Sequence, residues 1–159
     1  WDVLNVRCAP VGEPVWRLLR ILAGVPVIHG QTMEAFVPQM VNLHLLGGVS
    51  FRKGCYPGQE VVARMQYLGK LKRRMYLVSI PADREPVPGD PLYQRKDPEQ
   101  AAGTLVDAAP HPDGHFMALA VIRIDAAEAG DLRYGSAEGP EIAFHDLPYG
   151  WEAEDQGGD

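Results

Sequence analysis

Beyond residue 70 the chain breaks into short β-type runs, "RRMYLVSI", "DPLYQ", "AAGTLVDAAP", "GHFMALAVIRID", "DLRYG" and "EIAFHDLPY", divided by Pro, Gly and Asp. No other feature constrains the fold as much. Several short strands at such spacing predict a small antiparallel sheet or barrel, and they exclude a long helix. The stretch before residue 70 reads differently. In "GEPVWRLLRILAGVPV" Pro14 suits a first helical turn, and Val15, Leu18, Leu19 and Leu22 repeat at helical spacing. Gly24 is the candidate end cap and Pro26 enforces the stop. A short helical turn is expected over 33–36, then a coiling stretch from Pro38 to the glycines at 47 and 48. A second helix is expected from about Pro57 to Leu68, with Glu60 at its positive end and Val61, Met65 and Leu68 as one buried stripe. Glu60 and Arg64, four apart, can pair.

The expected class is therefore α+β. A mixed part over 1–70 precedes an antiparallel β-barrel-like part over 71–150, and "WEAEDQGGD", residues 151–159, reads as a flexible tail. Two cysteines, Cys8 and Cys55, make neither a disulfide framework nor a CxxC pair, which points to a reducing cytoplasm. No apolar run approaches the roughly 18–20 residues of a membrane span, and no signal segment opens the chain. The start on Trp1 reads as the middle of something, so a longer protein is expected.

Charge is distributed unevenly. Residues 52–74 hold seven of the 15 basic residues and one of the 21 acids, so this segment is +6 and the remainder −12. An acidic remainder is a poor general surface for nucleic acid, whose phosphates need broad positive charge. A small anionic ligand at one concentrated site fits better. Cys55 lies inside that segment, just ahead of the expected helix and near Arg52 and Lys53. Helix dipole and cations both favour its thiolate, although a lone cysteine also serves as a small buried apolar residue.

Other constellations carry less. His111, Asp113 and His115 in "PHPDGHF" alternate as metal ligands sometimes do, but Asp113–Gly114 is a favoured two-residue hairpin turn and no further ligand converges. No metal site is expected. "GKLKRR" fails as a nucleotide loop, because Arg64 stands where the first Gly belongs and no Ser or Thr follows Lys70. Arg20 is a plausible anion contact or a core-edge ion pair. His29, His44 and His145 show no partner in the sequence.

"KGCYPGQEVVAR" followed by "LGKLKRR" resembles the signature of the YgfZ-type folate-binding proteins of iron–sulfur cluster assembly and repair. Their fold is in turn similar to that of the aminomethyltransferase, or T-protein, of the glycine cleavage system. Lys53, Gly54, Cys55, Tyr56, Gly58, Gln59, Glu60, Ala63 and Arg64 match the motif, and Gly69, Lys72 and Arg73 close it. Upstream, Arg20, Gly24, Pro26, Pro38, Gln39 and Asn42 also fall in familiar places. The resemblance is firm over residues 14–75 and rests on general texture beyond.

The resemblance implies the C-terminal part of an aminomethyltransferase-like folate-binding fold, followed by a small antiparallel β-barrel domain. It implies tetrahydrofolate, or a folate derivative, as cofactor in a channel shared with a preceding part of the protein. Cys55 is then the functional thiol, with Lys53 beside it, and Arg20, Gln39, Tyr56, Gln59, Glu60 and Arg64 are the folate-binding side chains. The expected partners are folate and iron–sulfur proteins or their assembly factors, with no stable nucleic-acid binding and no membrane. A single cysteine cannot hold a cluster, which takes four ligands, so any contact with a cluster is transient or shared. The resemblance leaves open whether the protein is an enzyme. An aminomethyltransferase moving a one-carbon unit to tetrahydrofolate is the alternative, and a β-barrel interaction module with a vestigial site is a third, blander reading.

Overall fold

In the computed structural model, which describes residues 6, 8, 10–50, 54, 58–68 and 71–150 (the side chains of 61 and 65–68 excepted), the β-type runs form one six-stranded antiparallel sheet. Its strands are β1 (Arg73–Ile80), β2 (Pro91–Gln94), β3 (Asp97–Pro110), β4 (Phe116–Arg123), β5 (Leu132–Tyr134) and β6 (Ala143–His145), in the order β5-β2-β3-β4-β1-β6. The sheet curls, and its two edges are drawn together by one segment. Residues 140–142 bond back to β5, through Tyr134 N–H to the Pro140 carbonyl and Ile142 N–H to the Leu132 carbonyl. The next three residues, β6, pair with β1 at the opposite edge. The expected barrel-like character is present.

Strict alternation in β1 and β4 gives the sheet two apolar faces. Val78, Ile80, Ala118, Ala120 and Ile122 point into the curl with Leu92, Leu105, Leu132 and Ile142. Met75, Leu77, Met117, Leu119 and Val121 point the other way, where Leu18, Ile21 and Val41 cover them. The segment before residue 70 and the sheet thus share a core. The β3–β4 connection differs from the expected two-residue turn. His111 N–H bonds the His115 carbonyl, which leaves Pro112, Asp113 and Gly114 as a three-residue loop with Gly114 at φ +85. Proline presets the turn's first corner and glycine takes its left-handed one.

The first helix among the fully described elements, α1 (Glu13–Leu22), has Pro14 in its first turn and ends at Gly24. Gly24 N–H bonds the Ile21 carbonyl and Val25 N–H bonds the Arg20 carbonyl, with Gly24 at φ +68, the paired C-terminal bonds of a Schellman motif. Its facing corrects the sequence reading. Leu18 and Ile21 are buried and Leu22 half-buried, but Val15 and Leu19 are exposed. A 3-10 turn, Gly30–Thr32, takes the place of the helical turn expected over 33–36. Residues 38–47 run as successive tight turns, interrupted by Asn42 at φ 58. The second helix, α2 (Gln59–Leu68), lies close to its expected span. A third, α3 (Ile124–Ala129), occupies a stretch read as the end of a strand. Among the described residues no helix is long and apolar enough to cross a membrane.

Candidate functional site

Three of the expected site residues, Lys53, Cys55 and Tyr56, lie outside the described residues, as do Pro57 and the tail 151–159. The structure does describe the frame around them. Gly58 precedes α2 at φ +86, a left-handed conformation that side chains other than glycine rarely adopt. A Cβ on either Gly54 or Gly58 would meet nothing within 4 Å, so these two positions have room around them. Helix α2 begins there, and the dipole of a helix favours an anion at its N-terminal end. Glu60 and Arg64 are exposed, with no ion pair between them among the described residues, and Gln59 is half-buried with a polar interaction of its own.

Gln39 is placed by the turn run 38–47 and is only 3% exposed. Its Nε2 donates to the Val62 carbonyl at 2.7 Å, fastening α2 to the turn run from inside the fold. Its Oε1 is buried without a hydrogen bond among the described residues. This side chain therefore positions α2 as well as standing near it. Arg20, on the last turn of α1, is half-buried, and its buried Nε likewise finds no hydrogen-bond acceptor among the described residues. The structure brings Gln39 to α2, but no hydrogen bond joins Arg20 to that helix among the described residues.

Behind these residues a polar knot ties the chain's distant parts together. Asn42, fully buried, donates from Nδ2 to the Met75 carbonyl at 3.0 Å and to Tyr149 Oη at 3.4 Å. Tyr149 Oη in turn donates to the Gly24 carbonyl at 2.8 Å. Burial raises the Tyr149 phenol above its usual range, and the Asn42 bond only partly offsets this. Burial, followed by the hydrogen bond to Asp90, pushes Tyr134 up to about 12. A phenol raised in the folded state keeps its full contribution below the unfolded pKa of about 10 and loses it as pH climbs towards the folded value. An absorbance titration should show late ionisation of Tyr134 and Tyr149, with Tyr134→Phe removing a phase near 12. The denaturation midpoint should fall between about pH 10 and about pH 12, and less steeply in that variant.

Sequence reasoning missed a buried ion pair. Between Leu105 and Asp107 the β3–β4 register shifts, and the extra residue turns both Val106 and Asp107 towards α1. Asp107, 1% exposed, accepts from Arg17 Nε at 2.8 Å and has His29 Nε2 at 3.2 Å, while Arg17 also reaches Glu85 at 3.3 Å. The available signal was a lone carboxylate inside the apolar run "TLVDAA". Elsewhere His111 and His115 stack with ring centres 4.5 Å apart, and His145 Nε2 lies 2.9 Å from Ser79 Oγ. No group of three or more His, Cys, Asp or Glu able to hold a metal ion occurs among the described residues.

No family model matches the chain. Curated relatives do. It is 41% identical over 138 residues to the tRNA-modifying protein YgfZ of Photobacterium profundum, covering 85% of the chain and 41% of that protein. Over 152 residues it is 38% identical to the protein of the same name from Klebsiella pneumoniae, covering 95% of the chain and 46% of the relative. The Yersinia pestis protein of that name is 38% identical over 135 residues, 84% of the chain and 41% of its own length. The chain thus spans less than half the length of the curated relatives it matches.

Proposed function

Since this chain is a YgfZ-type sequence, we propose that it forms part of a tetrahydrofolate-binding accessory protein for iron–sulfur cluster assembly or repair, with Cys55 as its functional thiol. The observation that carries the reading is the unbroken motif from Lys53 to Arg64, set in the one strongly basic segment of an otherwise acidic chain. Folate carries one or more glutamate carboxylates, and a local charge of +6 suits such a polyanion. The room at Gly54 and Gly58, and the buried Gln39 Oε1 and Arg20 Nε, which find no hydrogen bond among the described residues, suit the space and polar groups that a pterin and its tail require. Tyr56, Gln59, Glu60 and Arg64 complete the proposed wall. Tetrahydrofolate supplies reduced ring nitrogens that carry one-carbon units.

The relatives are named for tRNA modification. With a remainder of −12, this chain is poorly suited to grip tRNA directly, so the effect on tRNA passes through an iron–sulfur partner. A cluster is cargo here, since four ligands cannot come from Cys55 alone. The division at residue 70, the aminomethyltransferase-like character of the first part and the cytoplasmic location belong to the same proposal.

Cys55→Ser tests the thiol. Introduced into the full-length protein in cells lacking the native copy, it should reduce iron–sulfur enzyme activity and tRNA modification to the level of the deletion, with protein abundance unchanged. Retained activity at equal abundance would remove Cys55 from the mechanism.

A further inference from the structure

Helix α1 is apolar on both sides. Leu18 and Ile21 enter the core and Arg17 is spent inward on Asp107, yet Val15, Trp16 and Leu19 point out, with Trp16 58% exposed. These three sit at i, i+1 and i+4, one side of the helix, and neither Glu13 nor Arg20 falls between them. Beyond α1, Ile28 and Met33 are exposed as well, Met33 at 68%. A helix apolar all round is a buried helix, and contiguous exposed apolar surface of this kind marks an interface.

We infer that this outward face of α1 is covered by the part of the YgfZ-type protein lying outside the matched stretch. The matched stretches fill only 41–46% of the relatives, so more than half of each relative remains to supply the cover. A covering segment on the same chain acts at high effective concentration and displaces a second copy, the other occupant such a face admits. The inference rests on the assignment to the YgfZ type, but it needs neither folate nor Cys55.

Hydroxyl-radical footprinting of Trp16 tests it, comparing the 159-residue chain with the full-length protein that carries this sequence, both without ligand. Trp16 should be modified several-fold less in the full-length protein. The double variant Trp16→Gln/Leu19→Gln should leave the melting temperature of the 159-residue chain unchanged and lower that of the full-length protein by several degrees. Equal modification in the two wild-type proteins overturns the inference, whatever the variant does. So does protection that appears in both and vanishes on dilution, because it assigns the face to a second copy. Either failure leaves the tetrahydrofolate reading standing, since no ligand enters the measurement.

Discussion

Replacing Arg17 with leucine is expected to destabilise the chain by about 3–5 kcal/mol, seen as a lower urea midpoint at unchanged slope. Asp107 is 1% exposed, and Arg17 Nε is its closest charged partner at 2.8 Å. Leucine fills comparable space on α1 but leaves a buried carboxylate facing an apolar group. The Ala108 N–H, at 3.0 Å, and His29 remain to Asp107, and neither supplies a permanent charge. The second substitution decides the cause. Arg17→Leu/Asp107→Leu removes both charges, and it should regain most of the loss, because a buried pair contributes little over a well-packed apolar one. If the double variant is as weak as the single, the damage comes from packing and the electrostatic account is wrong.

Gly24→Ala is the second large effect, about 3 kcal/mol, for two separate reasons. At φ +68 any L side chain crowds its own backbone, at a cost of about 1–2 kcal/mol. The added Cβ would also lie 2.6 Å from the Tyr149 ring, 2.7 Å from its hydroxyl and 2.8 Å from Leu147 Cδ2, so the ring must move and loosen its bond to the Gly24 carbonyl. Such overpacking adds about 1–3 kcal/mol. Thermal denaturation of Gly24→Ala beside Tyr149→Phe checks this. The phenylalanine variant loses only hydrogen bonds, about 1 kcal/mol, and should be clearly the milder of the two. Equal effects would mean that the contact with the ring is easily relieved.

The end of α1 was legible because a Gly-x-Pro stop follows directly from backbone geometry. The strands were legible too, since short apolar or alternating runs such as "GHFMALAVIRID" and "RRMYLVSI", bounded by Pro, Gly and Asp, are a local property. What local pattern does not carry is facing. Which side of α1 turns inward depends on Arg17 meeting Asp107, 90 residues away, and on the bulge at Val106 that aims Asp107 at the helix. Neither is visible in the periodicity of "VWRLLRIL", where every side of the helix offers an apolar residue. The beginning of β3 at Asp97 was hidden for a similar reason: "DPEQ" has no strand composition and is extended by its pairing with β2. At the candidate site the motif was fully readable, while the task of Gln39 was not. A buried amide donating to a helix carbonyl 23 residues further on has no sequence signature.

Calorimetric titration of the full-length protein with tetrahydrofolate, in physiological salt, bears most directly on the central claim. The account predicts saturable micromolar binding by the full-length protein and little or none by the 159-residue chain. One wall of a shared channel keeps only exposed charge contacts, each about 0.2–1 kcal/mol and screened by salt. Micromolar binding by the monomeric 159-residue chain would show that this part holds the whole site. Absence of binding by the full-length protein would contradict the tetrahydrofolate reading itself.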